Sequence, residues 1–217
     1  MAGHYLIMAT KNGVIKRTEL SEFTNLRKSG LIALVLREED ELIGVALTDG
    51  SYELLLGTRN GMAIRFPETD MRPIGRSAMG VKSIELNRGD EVVDMCPVFE
   101  GMKVLSITEN GYGKLTEIDE YRVQSRGGKG IRAMNLTGKT GRLTCQLLAD
   151  EAEDILLITD DGTIIRMSVG DISTLGRNTQ GVRLMRVEEG SKVVCVARAE
   201  AETEDEAEET PEENDEI

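Results

Sequence analysis

The sequence predicts an all-β protein built as four radially arranged, four-stranded blades, and three observations carry that expectation. An apolar run ending in Thr, one residue, then Asn-Gly or Asp-Gly occurs four times, with its glycine at Gly13, Gly61, Gly111 and Gly162. A second series, Gly30, Gly80, Gly130 and Gly181, repeats at spacings of 50, 50 and 51. No stretch sustains a helical apolar period, although short helical turns near residues 18–23 or 67–71 fit the pattern. Two independent marks with one period of about 50 residues read as a repeat, and four-stranded repeats of that length suggest blades packed face to face. The alternative is one large sandwich or barrel, which the period disfavours.

Each unit reads as four strands. Asn-Gly and Asp-Gly between short apolar runs signal a two-residue type I′ hairpin, which needs positive φ at both central residues. In the first unit this joins Tyr5–Thr10 to residues 14–18. A polar loop over 21–29 leads to a third strand at 31–36, and the acidic turn 38–40 leads to a fourth at 42–47. The third strand recurs at 81–86, 131–136 and 182–187, and the fourth at 92–98, 143–148 and 193–197. The repeats run approximately over 5–50, 51–100, 101–150 and 151–199, giving one blade domain over 1–199.

Charge divides the chain further. Of 39 acids, 11 lie in Glu200–Ile217 without a base, so the body holds 28 acids against 26 Lys and Arg. The terminal 200–217 segment is expected to be a disordered acidic tail, held open by self-repulsion. With 40% hydrophobic residues the body can bury a core. No apolar run reaches the 18 or so residues of a membrane span. The start has no secretory pattern, and three cysteines make no disulfide framework, so a cytoplasmic setting is expected. His4 is the only histidine. No nucleophile, base or metal set converges, so no catalytic residue, metal or cofactor is expected. Cys96, Cys145 and Cys195, spaced 49 and 50, read as one core position used three times.

Within the body, the windows from each turn glycine to three residues past the second glycine carry +8, leaving −10 elsewhere. Equivalent positions in a blade array share a side, so a basic band is expected along one edge. Its members are Lys16, Arg17, Arg65, Lys114 and Arg166 past the hairpin turns. Arg27, Lys28, Arg76, Arg126, Lys129 and Arg177 sit in the long loops, and Lys82, Arg132 and Arg183 stand two residues after the second glycine. A repeating row of cations matches a polyanion. Trp is absent and Phe and Tyr total seven, too few for the stacking platforms of single-strand binders, so if the polyanion is a nucleic acid the expected partner is double-stranded DNA gripped by its backbone. The loop Gln124-Ser125-Arg126-Gly127-Gly128-Lys129-Gly130 is the richest, with glycines to aim N–H groups at a phosphate. A basic edge docking an acidic protein is the alternative.

Three stretches then resemble a known family. Thr108-Glu109-Asn110-Gly111-Tyr112-Gly113-Lys114, the loop Gln124–Gly130, and residues 172–182 (Ile-Ser-Thr-Leu-Gly-Arg-Asn-Thr-Gln-Gly-Val) are similar to the C-terminal domain of the DNA gyrase A protein. The resemblance covers roughly residues 5 to 198 and implies a β-pinwheel around whose basic rim duplex DNA wraps, biasing an ATP-driven topoisomerase toward negative supercoiling. It implies as partners the remainder of the DNA gyrase A protein and the gyrase B protein, in a bacterial, nucleoid-associated setting. The related topoisomerase IV A-type subunit is the alternative parent. Family members usually have six blades, and the four repeats here resemble the last four. The family's hallmark heptad Gln-Arg-Arg-Gly-Gly-Lys-Gly belongs to the first blade; the loop at 124–130 differs from it at Ser125 and does not take its role. Catalytic tyrosine and ATP-site motifs are absent from this sequence.

Overall fold

A computed structural model describes residues 3–25 and 28–201, so Arg27 and most of the expected tail lie outside the described residues. The fold is all-β. The first unit contributes β1 (Tyr5–Thr10), β2 (Val14–Glu19) and β3 (Leu42–Thr48). The second contributes β4 (Glu53–Thr58), β5 (Met62–Pro67), β6 (Val81–Lys82) and β7 (Val92–Pro97). The third has β8 (Lys103–Thr108), β9 (Tyr112–Glu117), β10 (Ile131–Arg132) and β11 (Leu143–Ala149). The fourth has β12 (Asp154–Thr159), β13 (Ile164–Ser168), β14 (Val182–Arg183) and β15 (Val193–Ala199). A short 3-10 turn follows the hairpin in every unit, at Leu20–Phe23, Glu68–Asp70, Ile118–Glu120 and Val169–Asp171.

The hairpin turns differ from the expected type I′. Each glycine N–H donates to the Thr carbonyl three residues earlier, from Gly13 to Thr10 at 3.0 Å and from Gly61 to Thr58 at 2.9 Å. Gly13, Gly61, Gly111 and Gly162 have φ between +76° and +90°, while the Asn or Asp before each does not have positive φ. The loop is therefore one of three residues closed by a single left-handed glycine; in the first three units the Thr side chain completes it by accepting from the residue after the glycine, as Thr10 does from Val14 at 3.2 Å, whereas in the fourth Thr163 N–H donates to the Asp161 carboxylate at 2.9 Å.

The sheets also depart from one blade per repeat. Their orders are β3-β1-β2-β6, β7-β4-β5-β10, β11-β8-β9-β14 and β15-β12-β13. The third strand of each unit therefore joins the sheet of the unit before it. Val81 and Lys82 pair with Ile15 and Val14, Ile131 and Arg132 with Ala63 and Met62, and Val182 and Arg183 with Gly113 and Tyr112. Only two residues pair, rather than six, because the receiving strand ends at its own turn. The next residue already bonds the turn glycine, Ser83 N–H to Gly13 O at 2.8 Å and Ala133 N–H to Gly61 O at 2.8 Å. The second glycine series makes this exchange possible. A Cβ at Gly80 would stand 2.6 Å from the Ile15 carbonyl oxygen, at Gly130 2.3 Å from that of Ala63, and at Gly181 2.5 Å from that of Gly113. Residues 31–36 of the first unit have no earlier sheet among the described residues to join, and form no strand.

The cores lie between consecutive sheets. Ile7, Ala9 and Ile15 of the first blade pack against Leu54, Leu56, Ile64 and Phe66 of the second, all of them fully buried. A second cluster repeats the arrangement with Leu105, Ile107 and Leu115 against Ile155, Leu157 and Val169. At about 1.5–3 kcal/mol for each large apolar side chain removed from water, these seams hold neighbouring blades together. Strands β3, β7, β11 and β15 contact one another in succession, which makes them the inner strands of the array. The exchanged strands β6, β10 and β14 stand at the opposite, outer edge of their sheets.

Candidate nucleic-acid interface

The expected cations separate into three groups. Lys16 and Lys114 are fully buried, which corrects their assignment to the basic rim. They share one register position, opposite Met8 and Ser106, on strands whose residues are otherwise packed on both faces. The Lys16 ammonium donates to the Ala33 carbonyl at 2.8 Å, to that of Ala78 at 3.1 Å and to that of Arg76. The Lys114 ammonium donates to Gly176 O at 2.6 Å, Arg177 O at 2.7 Å and Thr179 Oγ1 at 3.2 Å. Burial lowers both pKa values, that of Lys114 to about 8. Three acceptors gathered round each ammonium replace its water, and the lysine fastens the loop of the following unit. Arg17 is interior as well. Its guanidinium lies 3.3 Å from the buried Glu68 carboxylate of the second unit and 3.6 Å from the Tyr5 ring centre, so it too is corrected from the rim.

A second group is partly exposed and committed to protein partners. Arg65 meets Glu53 at 2.6 Å and the Ile118 and Tyr121 carbonyls at 2.9 and 3.2 Å. Arg166, at the same register, meets Asp154 at 2.8 Å. Arg76, Arg126 and Arg177 each reach back one unit to the second residue of the preceding third strand. They donate to Ile32 O at 3.2 Å, Lys82 O at 3.1 Å and Arg132 O at 2.7 Å. Part of each guanidinium still faces outward.

Lys28, Lys82, Lys129, Arg132 and Arg183 form the third group, all exposed. Lys82, Arg132 and Arg183 are register equivalents on the outermost strands β6, β10 and β14, so the repeat sets them in a row along the edge of successive blades. Among the described residues, none of the three has an ion-pair partner; Arg183 donates to the Tyr112 hydroxyl at 2.9 Å. Arg72 and Arg122 are a further exposed pair of cations, spaced 50 apart, each just past a 3-10 turn. That spacing was the available signal for them.

The glycine-rich loop does something other than cradle an anion with Gly127. The Gly127 N–H donates to Ser83 O at 2.6 Å, and Gly128 O accepts from Glu85 N–H at 2.8 Å. Ser125 and Lys129 are exposed, and Gln124 N–H is bonded to Arg65 O at 2.8 Å. What the loop offers outward is the Lys129 ammonium and the flank of Arg126. The cysteines are likewise corrected. Cys145 and Cys195 are register equivalents, opposite Ile107 and Ile158, but Cys96 lies two places further along, opposite Leu55. Cys145 is buried, Cys96 half-buried and Cys195 exposed, so there is no single threefold core position. Among the described residues, no three His, Cys, Asp or Glu side chains gather as a metal site, and no helix is long and apolar enough to cross a membrane.

The geometry defines a class of strand-exchanging blade arrays built from hairpin units, here with exposed cations on the outermost strands. A solved C-terminal domain of DNA topoisomerase IV superposes with a TM-score of 0.86 at 30% identity, over 91% of this chain and 62% of that one. A solved DNA gyrase A C-terminal domain gives 0.82 at 25% identity, over 92% and 67%. The chain belongs to the family described as DNA gyrase C-terminal domain, beta-propeller, which matches residues 4–49, 52–98, 103–144 and 153–199. It is 46% identical over 208 residues to the A subunit of DNA gyrase from Staphylococcus aureus (strain NCTC 8325 / PS 47), covering 95% of this chain and 23% of that protein. The chain thus spans about a quarter of the length of that relative.

Proposed function

We propose that the chain is a non-catalytic module that binds and wraps duplex DNA for a gyrase-type topoisomerase, acting with the remainder of the gyrase A protein and with the gyrase B protein in the bacterial cytoplasm. The observation that carries this reading is the row Lys82, Arg132 and Arg183 on the outermost strands of three successive sheets, with the exposed Lys129 just ahead of the strand that bears Arg132. Bending a 20–30 bp segment through tens of degrees costs about 1–6 kcal/mol, so a wrapping surface needs phosphate contacts repeated along its path. A module repeating once per blade supplies them. Backbone contacts carry no sequence information, so binding should tolerate any duplex sequence and weaken steeply with salt.

The test is a binding titration of the chain with Lys82→Glu, Arg132→Glu and Lys129→Glu combined. Affinity should fall for all duplex sequences alike, and the slope of log K against log salt should flatten by about 0.9 for each phosphate no longer neutralised. Unchanged affinity would reject the rim as the binding surface, and loss on one sequence alone would indicate base readout. Ligating nicked plasmid in the presence of the protein separates wrapping from binding. A linking-number shift of constant sign supports a chiral wrap, and no shift reduces the role to binding. The likeness to the topoisomerase IV domain favours one second reading, the same module in that enzyme's A-type subunit.

A further inference from the structure

The three cross-strand pairs at the outer edge are alike in register and unlike in chemistry. Lys82 stands opposite Val14, Arg132 opposite Met62 and Arg183 opposite Tyr112. Only the third pair gives its cation a polar partner across the strands. The Tyr112 hydroxyl accepts from Arg183 Nε at 3.2 Å and from Nη2 at 2.9 Å. Those bonds occupy one edge of the guanidinium and leave its Nη1–Nη2 edge open. Among the described residues the Tyr112 O–H itself donates to no acceptor, so its proton is free for a ligand. The phenol is held below its ordinary pKa of 10.0, first by the Arg183 hydrogen bond and further by the charges of Arg183 and Lys139.

A local insertion brings a second cation to the same ring. The carbonyl that accepts from the residue after the turn threonine lies eleven residues past the second glycine in the second and fourth units, at Glu91 and Lys192. In the third unit it lies twelve past, at Arg142. The longer loop turns over residues 137–141, where Gly141 N–H donates to Thr137 O at 3.0 Å, and Lys139 sits within that turn. Asn110 Nδ2 donates to the Lys139 carbonyl at 3.1 Å, and the ammonium comes to 5.4 Å from the Tyr112 ring centre. Tyr112, Lys139 and Arg183 line a cleft of about 410 Å³ between the third and fourth units, together with the exposed Arg186. Glu188 and Glu189 line it as well, yet none of the three cations has an ion-pair partner among the described residues.

We propose that this cleft seats one phosphate group. The open edge of Arg183 donates to two of its oxygens, and Lys139 and the Tyr112 O–H donate to the rest. A phosphate has enough acceptors for all three donors, whereas a carboxylate would satisfy little more than the guanidinium fork. The source, a backbone phosphodiester of duplex DNA, rests on the reading above; a free phosphate group has the same chemistry. Tyr112 is then a positioning residue. Among the described residues no side chain holds Lys82 or Arg132, so those cations lose their freedom only on binding, while Arg183 is already held. The rim is therefore uneven, with its most preorganised contact at the junction of the third and fourth units.

Tyrosine ring carbons labelled with carbon-13 report on the seat directly by NMR, since the chain has 4 tyrosines and Tyr112→Phe assigns the signal. Inorganic phosphate added to about 50 mM should shift the Tyr112 signal, and chloride at equal ionic strength should not. A duplex of about 20 bp should shift it too. Duplex titrations across salt then separate the roles. Lys139→Ala should weaken binding about threefold to tenfold and flatten the slope of log K against log salt by about 0.9, one phosphate fewer being neutralised. Tyr112→Phe keeps the ring and every charge, so it should weaken binding about threefold with the slope unchanged, which neither lost charge nor lost folding would produce. A wild-type chain that binds no duplex while Tyr112 still answers phosphate would reject the wrapping reading and keep the seat, for a free phosphate group. A Tyr112 signal that ignores phosphate and duplex alike, or that chloride moves as far, would overturn the seat. So would duplex binding that neither variant changes, and the wrapping reading would then stand without it.

Discussion

The junction between the first and second blades and the junction between the second and third perform one task with different chemistry. In the first, the loop of the incoming unit is fastened by Lys16, whose buried ammonium takes the Ala33 carbonyl together with those of Arg76 and Ala78. In the second, the register position of Lys16 is held by Ile64, fully buried and apolar. The carbonyl equivalent to that of Ala33 is Ser83 O, and there the donor is the backbone N–H of Gly127, at 2.6 Å. The glycine-rich loop is therefore the counterpart of a missing lysine. The third junction returns to the first solution with Lys114. The backbone N–H of Gly127 thus takes one of the carbonyl positions that the buried Lys16 ammonium takes in the first junction, a carbonyl that would be costly to leave unpaired.

Several changes would break or sharpen this comparison. The largest effect is expected from Lys114→Ile, which imposes the middle junction's residue without its loop and strands the Gly176 and Arg177 carbonyls. Urea denaturation should show a loss of about 2–4 kcal/mol, and replacing residues 176–181 with the sequence of 125–130 should recover much of it. A smaller effect follows from pH. The Lys114 pKa is lowered to about 8 in the folded chain against 10.5 when free, so between those values the unfolded chain binds more protons. Stability should then rise as pH increases from about 8 towards 10.5 and this gain should vanish in Lys114→Ile, as read from Tm against pH. Gly127→Ala has room, its Cβ lying 3.6 Å from Lys82 O, but needs φ of +81°. It should cost about 1 kcal/mol by the same denaturation assay, a penalty of backbone alone. Lys129→Ala should leave stability within about 0.5 kcal/mol, since the side chain is exposed, while weakening duplex binding in a salt titration.

A fifth measurement concerns Asp94, at the seam of the second and third blades. Burial raises its pKa to about 6, while the Gln146 N–H, which it accepts at 3.3 Å, pulls the other way. A raised folded pKa means the folded chain holds the proton longer, so stability should fall as pH rises from about 4 through 6. Asp94→Asn should remove that slope and raise Tm at pH 7 by a few degrees, about 2–4 °C for each kcal/mol recovered.

Much of the fold was legible because its marks are local. The Thr-x-Asn-Gly turns and the glycines at a period of about 50 report backbone conformations that few other residues adopt, and both series sit where the expected repeat put them. The exchange of the third strand was not legible, since residues 81–82 look the same whichever sheet they join. Gly80, Gly130 and Gly181 carried a hint of it, because a glycine before a strand often marks another backbone passing close. Charge counting picked out the cation-bearing positions of the repeat but could not separate a buried ammonium from an exposed one. Lys16 stands between Ile15 and Arg17 in a strand with five consecutive buried residues, a placement only the register reveals. Arg76, Arg126 and Arg177 were found as a series, and their job of clasping the preceding unit depends on long-range geometry.

Strand exchange also dictates the order in which the molecule can be completed as it leaves the ribosome. Val14 waits for Lys82, 68 residues downstream, before its sheet has four strands. Each of the first three blades thus remains one strand short until its successor has emerged, and over that stretch the nascent chain carries one open edge at its growing end.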